Sequence, residues 1–222
     1  MLIAVIPCRN EEASIGPVVR ELRVWVDLII VVNDRSGDAT GSAARSAGAM
    51  VLDLQSSSGK GAAMRFGWEA AARLGATRVL LLDGDGQHAP ADAPRFISHQ
   101  KSTGADLVIG NRFAGDTRSV PRIRRWTNQW MSRRLSQLCQ VPLPDSQCGY
   151  RLVNLAPLLQ LDLKTHHFEI ESEMCFAFAR AGHRIEFLPI EPQYDGQNSK
   201  ISPLTDAIRW FRWFKSAQRC RP

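Results

Sequence analysis

Two aspartates one residue apart, Asp83 and Asp85, stand in the stretch RVLLLDGDGQHAP from Arg78 to Pro90. Gly84 between them allows a tight turn that aims both carboxylates at one point, with the Gln87 amide oxygen one step further. Hard oxygen donors converging in this way suit Mg²⁺ or Mn²⁺. The run Val79 to Leu82 is unbroken and apolar, the pattern of a strand buried on both faces. The acidic pair therefore belongs at a strand's carboxyl end, where open α/β sheets place their ligands. Gly84, Gly86 and Ala89 also match the dinucleotide fingerprint G-x-G-x-x-G/A. That reading fails on charge, because a pyrophosphate cradled there would meet Asp83 and Asp85 unless a cation intervened. A lone D-x-D is equally well explained as a solvated turn, so the rest of the chain has to decide.

A site of this kind needs a parallel sheet behind it, and the chain supplies the pattern. Leu2 to Ile6 reads as a strand ended by Pro7, followed by a helix from Asn10-Glu11-Glu12 to about Trp25. Asp27 to Val32 is a second buried strand, ending in the polar run Asn33-Asp34-Arg35-Ser36-Gly37-Asp38 before a helix near Thr40 to Ala47. Met50 to Leu54 is a third, leading through Ser56 to Gly61 into a helix over Ala62 to Leu74. Units at about 25-residue spacing, each turning from apolar to polar at the strand's end, predict a doubly wound, mostly parallel α/β sheet with right-handed crossovers and helices on both faces. After a helix near Ala91 to Lys101, a fifth strand over Asp106 to Ile109 ends in Gly110-Asn111-Arg112 and closes a nucleotide- and metal-binding half, residues 1–115.

Residues 116–200 form a second half within the same domain. It comprises a helix over Arg118 to Leu138, a polar loop from Asp145, a strand over Tyr150 to Val153, a helix from Phe168 to Ala181 and a strand over Arg184 to Pro192. Most of the helix's arginines are explained as a solvated face. Glu169, Glu171 and Glu173 have a helix-dipole explanation that needs no catalysis. Residues 201–222 hold a basic amphipathic helix from Pro203, with Leu204, Ala207, Ile208, Trp210, Phe211 and Phe214 on one arc and Arg209, Arg212, Lys215 and Arg219 on the other. Packing on the domain and lying on a membrane surface both fit that pattern. Gly59-Lys60-Gly61 is not a P-loop, since no Ser or Thr follows the lysine; it reads as a flexible loop holding a cation.

At 222 residues and 44% hydrophobic, the chain suits one domain with a substantial core. Its apolar runs fall far short of the ~20 residues of a membrane span, and it opens directly on a strand rather than a basic leader. The expectation is a cytoplasmic protein, peripheral at most. Five cysteines without a C-x-x-C pair read as reduced thiols, with neither a disulfide framework nor a zinc site. The 28 basic against 22 acidic residues point to anionic partners. The excess is local: seven arginines fall between Arg112 and Arg134, and six basic residues between Lys200 and Arg221 stand against Asp206 alone.

Taken in order, IPCRNEE at Ile6, VVNDRSGDAT at Val31, GKG at Gly59, DGDGQH at Asp83, GNRF at Gly110, DSQCGYR at Asp145, FEIESE at Phe168 and SK at Ser199 resemble a family 2 glycosyltransferase of the GT-A fold. The likeness covers nearly the whole chain and is nearest the dolichyl- and polyprenyl-phosphate sugar synthases. It implies a metal-dependent inverting transfer from a GDP- or UDP-sugar to a polyprenyl phosphate or another acceptor. It further implies that Pro7, Arg9, Glu11 and Asp34 line the nucleoside pocket, with Lys60 and the Asp83-Gly84-Asp85 turn completing the donor side. Asp83, Asp85 and Gln87 would hold Mg²⁺ or Mn²⁺. Arg112, one of Arg124 and Arg125, and Ser199-Lys200 would grip phosphates, while Asp145, with Glu171 behind it, would serve a hydroxyl acceptor as base. Asn33 replaces the family's usual second aspartate, and Arg35 stands where glycine is common. Peripheral contact with the cytoplasmic face of the membrane, or with a membrane partner, follows from a lipid acceptor; homo-oligomerisation is left open. A sugar-phosphate nucleotidyltransferase is disfavoured by the acidic RNEE after the first strand, and a nucleic-acid binder by the acids at three strand ends.

Overall fold

The computed structural model describes residues 1–115, 120–191, 193 and 203–219. Among the described residues seven strands form one sheet: β1 (Leu2–Cys8), β2 (Leu28–Asn33), β3 (Met50–Asp53), β4 (Arg78–Leu81), β5 (Leu107–Asn111), β6 (Arg151–Asn154) and β7 (Ile185–Pro189). Their spatial order is β3-β2-β1-β4-β6-β5-β7. All pairings are parallel except those of β6, which runs antiparallel between β4 and β5. The central strands are the apolar runs LIAVI and LIIVV, buried almost throughout. β1 continues through Pro7, which lies opposite Val32, instead of ending there.

The helices are α1 (Glu12–Leu22), α2 (Thr40–Ser46), α3 (Lys60–Arg73), α4 (Ala93–Thr103), α5 (Arg122–Cys139), α6 (Leu155–Gln160), α7 (Ile170–Arg180) and α8 (Pro203–Arg219). Gly67 lets α3 lie directly on the sheet, since a Cβ there would meet Val5 Cγ1 at 2.3 Å. Ile6, the next residue of β1, approaches Ile15 of α1 around Gly84. Neighbouring strand residues point to opposite faces, so α1 and α3 cover opposite sides of the sheet. The sequence pattern foresees neither α6, a single short turn after β6, nor the reversed direction of β6. Alternation of strand and helix stops being informative once a strand is reached through a loop.

The C-terminal helix packs on the protein. Trp210, Phe214 and Ala217 of α8 are buried, and the Trp210 indole N–H donates to Ser172 Oγ of α7 at 2.8 Å. Trp210 stacks on Phe214 with centroids 4.8 Å apart and meets Trp130 of α5 at 5.7 Å. The apolar arc read from the sequence is thus split: Trp210 and Phe214 enter the core, while Ile208 and Phe211 face outward.

Candidate active site

The loops that follow β1, β2 and β4 meet at one sheet edge. Beyond β2, the buried Asp34 carboxylate accepts from the Ser58 amide at 2.7 Å, the Gly59 amide at 3.1 Å and the Ser57 hydroxyl at 3.2 Å. Beyond β1, the Arg9 guanidinium donates to the same Ser57 hydroxyl at 2.9 Å. The Glu11 amide donates to Thr40 Oγ1 at 2.7 Å, anchoring the start of α1 to α2. Pro7, Arg9, Glu11 and Asp34 are therefore brought to one side of the cleft. Ser57, which links Arg9 to Asp34, is the middle of three consecutive serines, Ser56 to Ser58, and nothing in its spacing sets it apart.

At the start of α3, Lys60 holds the centre beside the loop that follows β4. Its Nζ lies 2.6 Å from Asp83 Oδ1 and 2.6 Å from Glu171 Oε1, and it also faces the Phe168 ring at 5.3 Å. Burial disfavours the ammonium, but the charges of Asp83 and Glu171 outweigh it and hold the Lys60 pKa above its ordinary value. Asp83 responds in kind: burial would raise its pKa, and Lys60 together with its other neighbours lowers it. Asp85 is compensated only in part, by a backbone hydrogen bond and the Lys60 charge. Burial first and the Asp83 charge second push it up to about 6, against a hydrogen bond from the Gln87 amide at 3.0 Å. His88, buried beside Asp83, is pushed down to about 4 chiefly by burial and is neutral at pH 7.

These donors fit a hard divalent cation. Two carboxylates share a partly dry turn, where the Asp83 charge adds to burial in raising the Asp85 pKa, a repulsion that a cation would relieve. Among the described residues no group of three or more His, Cys, Asp or Glu side chains forms a cage. An ion such as Mg²⁺ takes few protein ligands and completes its shell from phosphates and water.

The Gly59-Lys60-Gly61 loop owes its glycines to crowding rather than flexibility. Gly59 adopts φ 83°, and a Cβ on it would meet His167 Nδ1 at 2.4 Å; one on Gly61 would meet the Thr165 carbonyl at 2.5 Å. The 165–168 segment is seated against them by the Gly61 amide, which donates to the His166 carbonyl at 2.8 Å, and by Arg65, which donates to the Thr165 carbonyl. Glu173 steadies the same segment by accepting from the Thr165 amide at 2.8 Å and hydroxyl at 2.6 Å. Glu171 and Glu173 thus have specific partners beyond the helix dipole. Gly149 is a further site residue that the sequence left without a role. A Cβ there would come within 2.5 Å of Asp83 Oδ2, so the 145–151 loop lies against the Asp83-Gly84-Asp85 turn.

Arg112, just after β5, donates to Asp145 through its backbone amide at 3.1 Å, Nε at 2.8 Å and an Nη at 2.9 Å. Asp145 is fully buried. Offered as a base by the resemblance, it has both oxygens engaged by Arg112. Its loop is fixed from two sides: Ser132 Oγ of α5 accepts from the Ser146 amide at 2.9 Å, and buried Arg151 donates to the Ser146 and Cys148 carbonyls, each at 2.8 Å. Arg124 and Arg125 stand half-buried in the first turn of α5. Ser199 and Lys200 lie outside the described residues.

Comparison with known proteins places this geometry. Residues 3–160 match the family described as Glycosyl transferase family 2. The chain is 33% identical to glycosyltransferase AglJ of Haloferax volcanii over 97% of its own length and 72% of the relative. It is 29% identical to the undecaprenyl-phosphate mannosyltransferase of Micrococcus luteus over 85% of its length and 82% of that protein. The fold superposes with a TM-score of 0.75 on glucosyl-3-phosphoglycerate synthase from Mycobacterium tuberculosis, solved with Mn²⁺, UDP and phosphoglyceric acid, at 20% identity, covering all of this chain and 79% of that one.

Proposed function

The chain belongs to glycosyl transferase family 2 and is a glycosyltransferase of the GT-A fold, and we propose that it moves a sugar from a GDP- or UDP-sugar to a polyprenyl phosphate with inversion at the anomeric carbon. One observation carries the choice of acceptor. Both acids offered by the sequence as a base are already held by cations, Asp145 by Arg112 and Glu171 by Lys60. A hydroxyl acceptor needs its proton removed, whereas a phosphate monoester is already anionic near neutral pH and attacks without a base. The Micrococcus luteus relative, an undecaprenyl-phosphate mannosyltransferase, supports the same class of acceptor.

In this reading an acceptor phosphate oxygen attacks the anomeric carbon from the face opposite the nucleotide. The new carbon–oxygen bond forms as the bond to the diphosphate breaks, and the diphosphate leaves with the electron pair. A divalent ion held by Asp83, Asp85 and Gln87 would supply counter-charge to that diphosphate. Lys60 keeps Asp83 ionised for this purpose. Arg112, fixed by Asp145, meets phosphate together with one of Arg124 and Arg125 and with Ser199-Lys200; such contacts are worth a few kcal/mol each. Pro7, Arg9, Glu11 and Asp34 receive the nucleoside. The enzyme works at the membrane's cytoplasmic face.

Calorimetry and a transfer assay test the reading together. UDP or GDP should bind with Mn²⁺ or Mg²⁺ and fail to bind in EDTA. Labelled sugar should pass to a short polyprenyl phosphate and not to the matching prenol. Transfer to the prenol at the same rate would overturn the acceptor assignment, and metal-independent nucleotide binding would overturn the metal site.

A further inference from the structure

We propose that the start of α5 and the outward side of α8 form one surface that docks on an anionic lipid bilayer. Ile123 and Trp126 of α5 are 80% and 68% exposed, the two exposed large hydrophobic side chains of this helix. With Trp130 they repeat at three- and four-residue steps and so share one helical face. Trp130 meets Phe211 of α8 with ring centroids 5.3 Å apart, and Phe211 and Ile208, one turn apart, are both exposed. The apolar stripe therefore runs unbroken from one helix to the other.

Charge identifies the occupant. Arg122, Arg133 and Arg134 of α5 and Arg212, Lys215 and Arg219 of α8 are exposed around the stripe, and the Arg134 guanidinium lies over the Trp130 ring at 5.5 Å. α5 contains no acid, and Asp206 of α8 accepts from Arg209 at 3.2 Å. A second copy of the chain would bring the same cations face to face, which argues against a symmetric dimer through this surface. Exposed isoleucines offer a nucleic acid neither stacking nor hydrogen bonds, whereas aliphatic and aromatic side chains ringed by cations suit the headgroup boundary. Among the described residues no helix is long and apolar enough to cross a membrane, so the contact is superficial. Ser132 ties α5 to the loop that carries Asp145, so the docking helix and the cleft share a direct link. The inference rests on the lipid-phosphate reading for its purpose.

Co-sedimentation of the full chain with phosphatidylglycerol–phosphatidylcholine vesicles tests it, with phosphatidylcholine vesicles alone as reference. Wild type should bind the anionic vesicles at low salt and release as salt rises. Ile123→Ser combined with Trp126→Ser should weaken partitioning by roughly ten-fold or more without lowering the melting temperature. Phe211→Ser should weaken it too, whereas Phe66→Ser, an exposed aromatic of α3, should bind like wild type. Equal vesicle binding by wild type and the double variant, or none by wild type at low salt, would overturn the proposal. So would a double variant that loses only a dimer on gel filtration or only oligonucleotide binding. Calorimetry of UDP and GDP with Mn²⁺ on the same proteins separates the two readings: retained nucleotide binding with failed docking rejects this surface and leaves the transferase assignment standing.

Discussion

Arg112 and Asp145 form a bidentate pair, with Nε and an Nη of the arginine 2.8 and 2.9 Å from the two carboxylate oxygens, at a position where Asp145 has no contact with solvent. The pairing favours a role for Asp145 in holding the Arg112 cation over a role as a base. If so, Asp145→Asn and Arg112→Met should impair turnover to a similar degree, and the double variant should be little worse than either. Each single change leaves a buried charge or dipole without its partner, which costs about 3–5 kcal/mol of stability. Thermal unfolding and steady-state rates over a double-mutant cycle check both statements. Additive rate losses, with an acid limb that vanishes only in Asp145→Asn, would restore the aspartate as the base.

Gly149 bears on the metal through contact alone. Replacing it by alanine puts a methyl group where Asp83 Oδ2 now lies, 2.5 Å away, and Asp83 is pinned by Lys60 at 2.6 Å. The side chain has to turn away from its present position. Mn²⁺-dependent nucleotide affinity should fall by about ten-fold or more, while the melting temperature changes little because the clash involves a side chain and not backbone. Calorimetry of UDP and GDP at saturating and limiting Mn²⁺ would show this; an unchanged metal requirement would mean that Asp83 does not serve the ion.

How far the sequence revealed this site depends on the kind of residue. Asp83, Asp85, Asp34 and Arg112 were legible because each follows an apolar run, and a strand's end is readable from the pattern of burial. Lys60 was visible as a cation in a loop, but its bond to Glu171, 111 positions away, was not. Nothing local encodes which helix terminus folds back over which loop. The glycines of GKG suggested flexibility, since crowding by the 165–168 segment exists only in three dimensions. The reversed β6 and the single turn of α6 escaped for the same reason. Strand direction is set by how a loop returns to the sheet, not by the strand's own residues.

Asp85 gives the site a pH dependence. Its carboxyl titrates near 6 in the folded protein against an ordinary 3.8, so the folded state binds the extra proton between those values. Stability without metal should therefore fall as pH rises through that window, and the deficit persists above it. Asp85→Asn should raise the stability of the metal-free protein at pH 7 by roughly 1–2 kcal/mol. Mn²⁺ competes with the same proton, so its affinity should decline about ten-fold per pH unit below 6. Unfolding in EDTA at pH 5 and pH 8 for both proteins decides the point; a variant less stable than wild type at pH 8 would count against it.

Trp210 supplies the last test, because it joins the C-terminal helix both to the core and to the loop of Asp145. Its ring is 2% exposed, stacks on Phe214 and donates to Ser172 Oγ, which also accepts from Gln147 Nε2 at 2.6 Å. Gln147 sits in the loop of Asp145, so the indole reaches the active-site loop through one serine. Truncation to alanine removes a large core side chain and should cost about 3–5 kcal/mol. Trp210→Phe keeps most of the volume but loses the donor, so it should cost about 1 kcal/mol. Its effect on kcat should exceed its effect on the melting temperature if the Ser172 link helps to hold the loop. Denaturant unfolding and transfer kinetics on Trp210→Phe and Ser172→Ala compare the two directly. A Trp210→Ala protein as stable as wild type would mean that α8 is not packed on the core, and would return Trp210 to the outer surface of the helix.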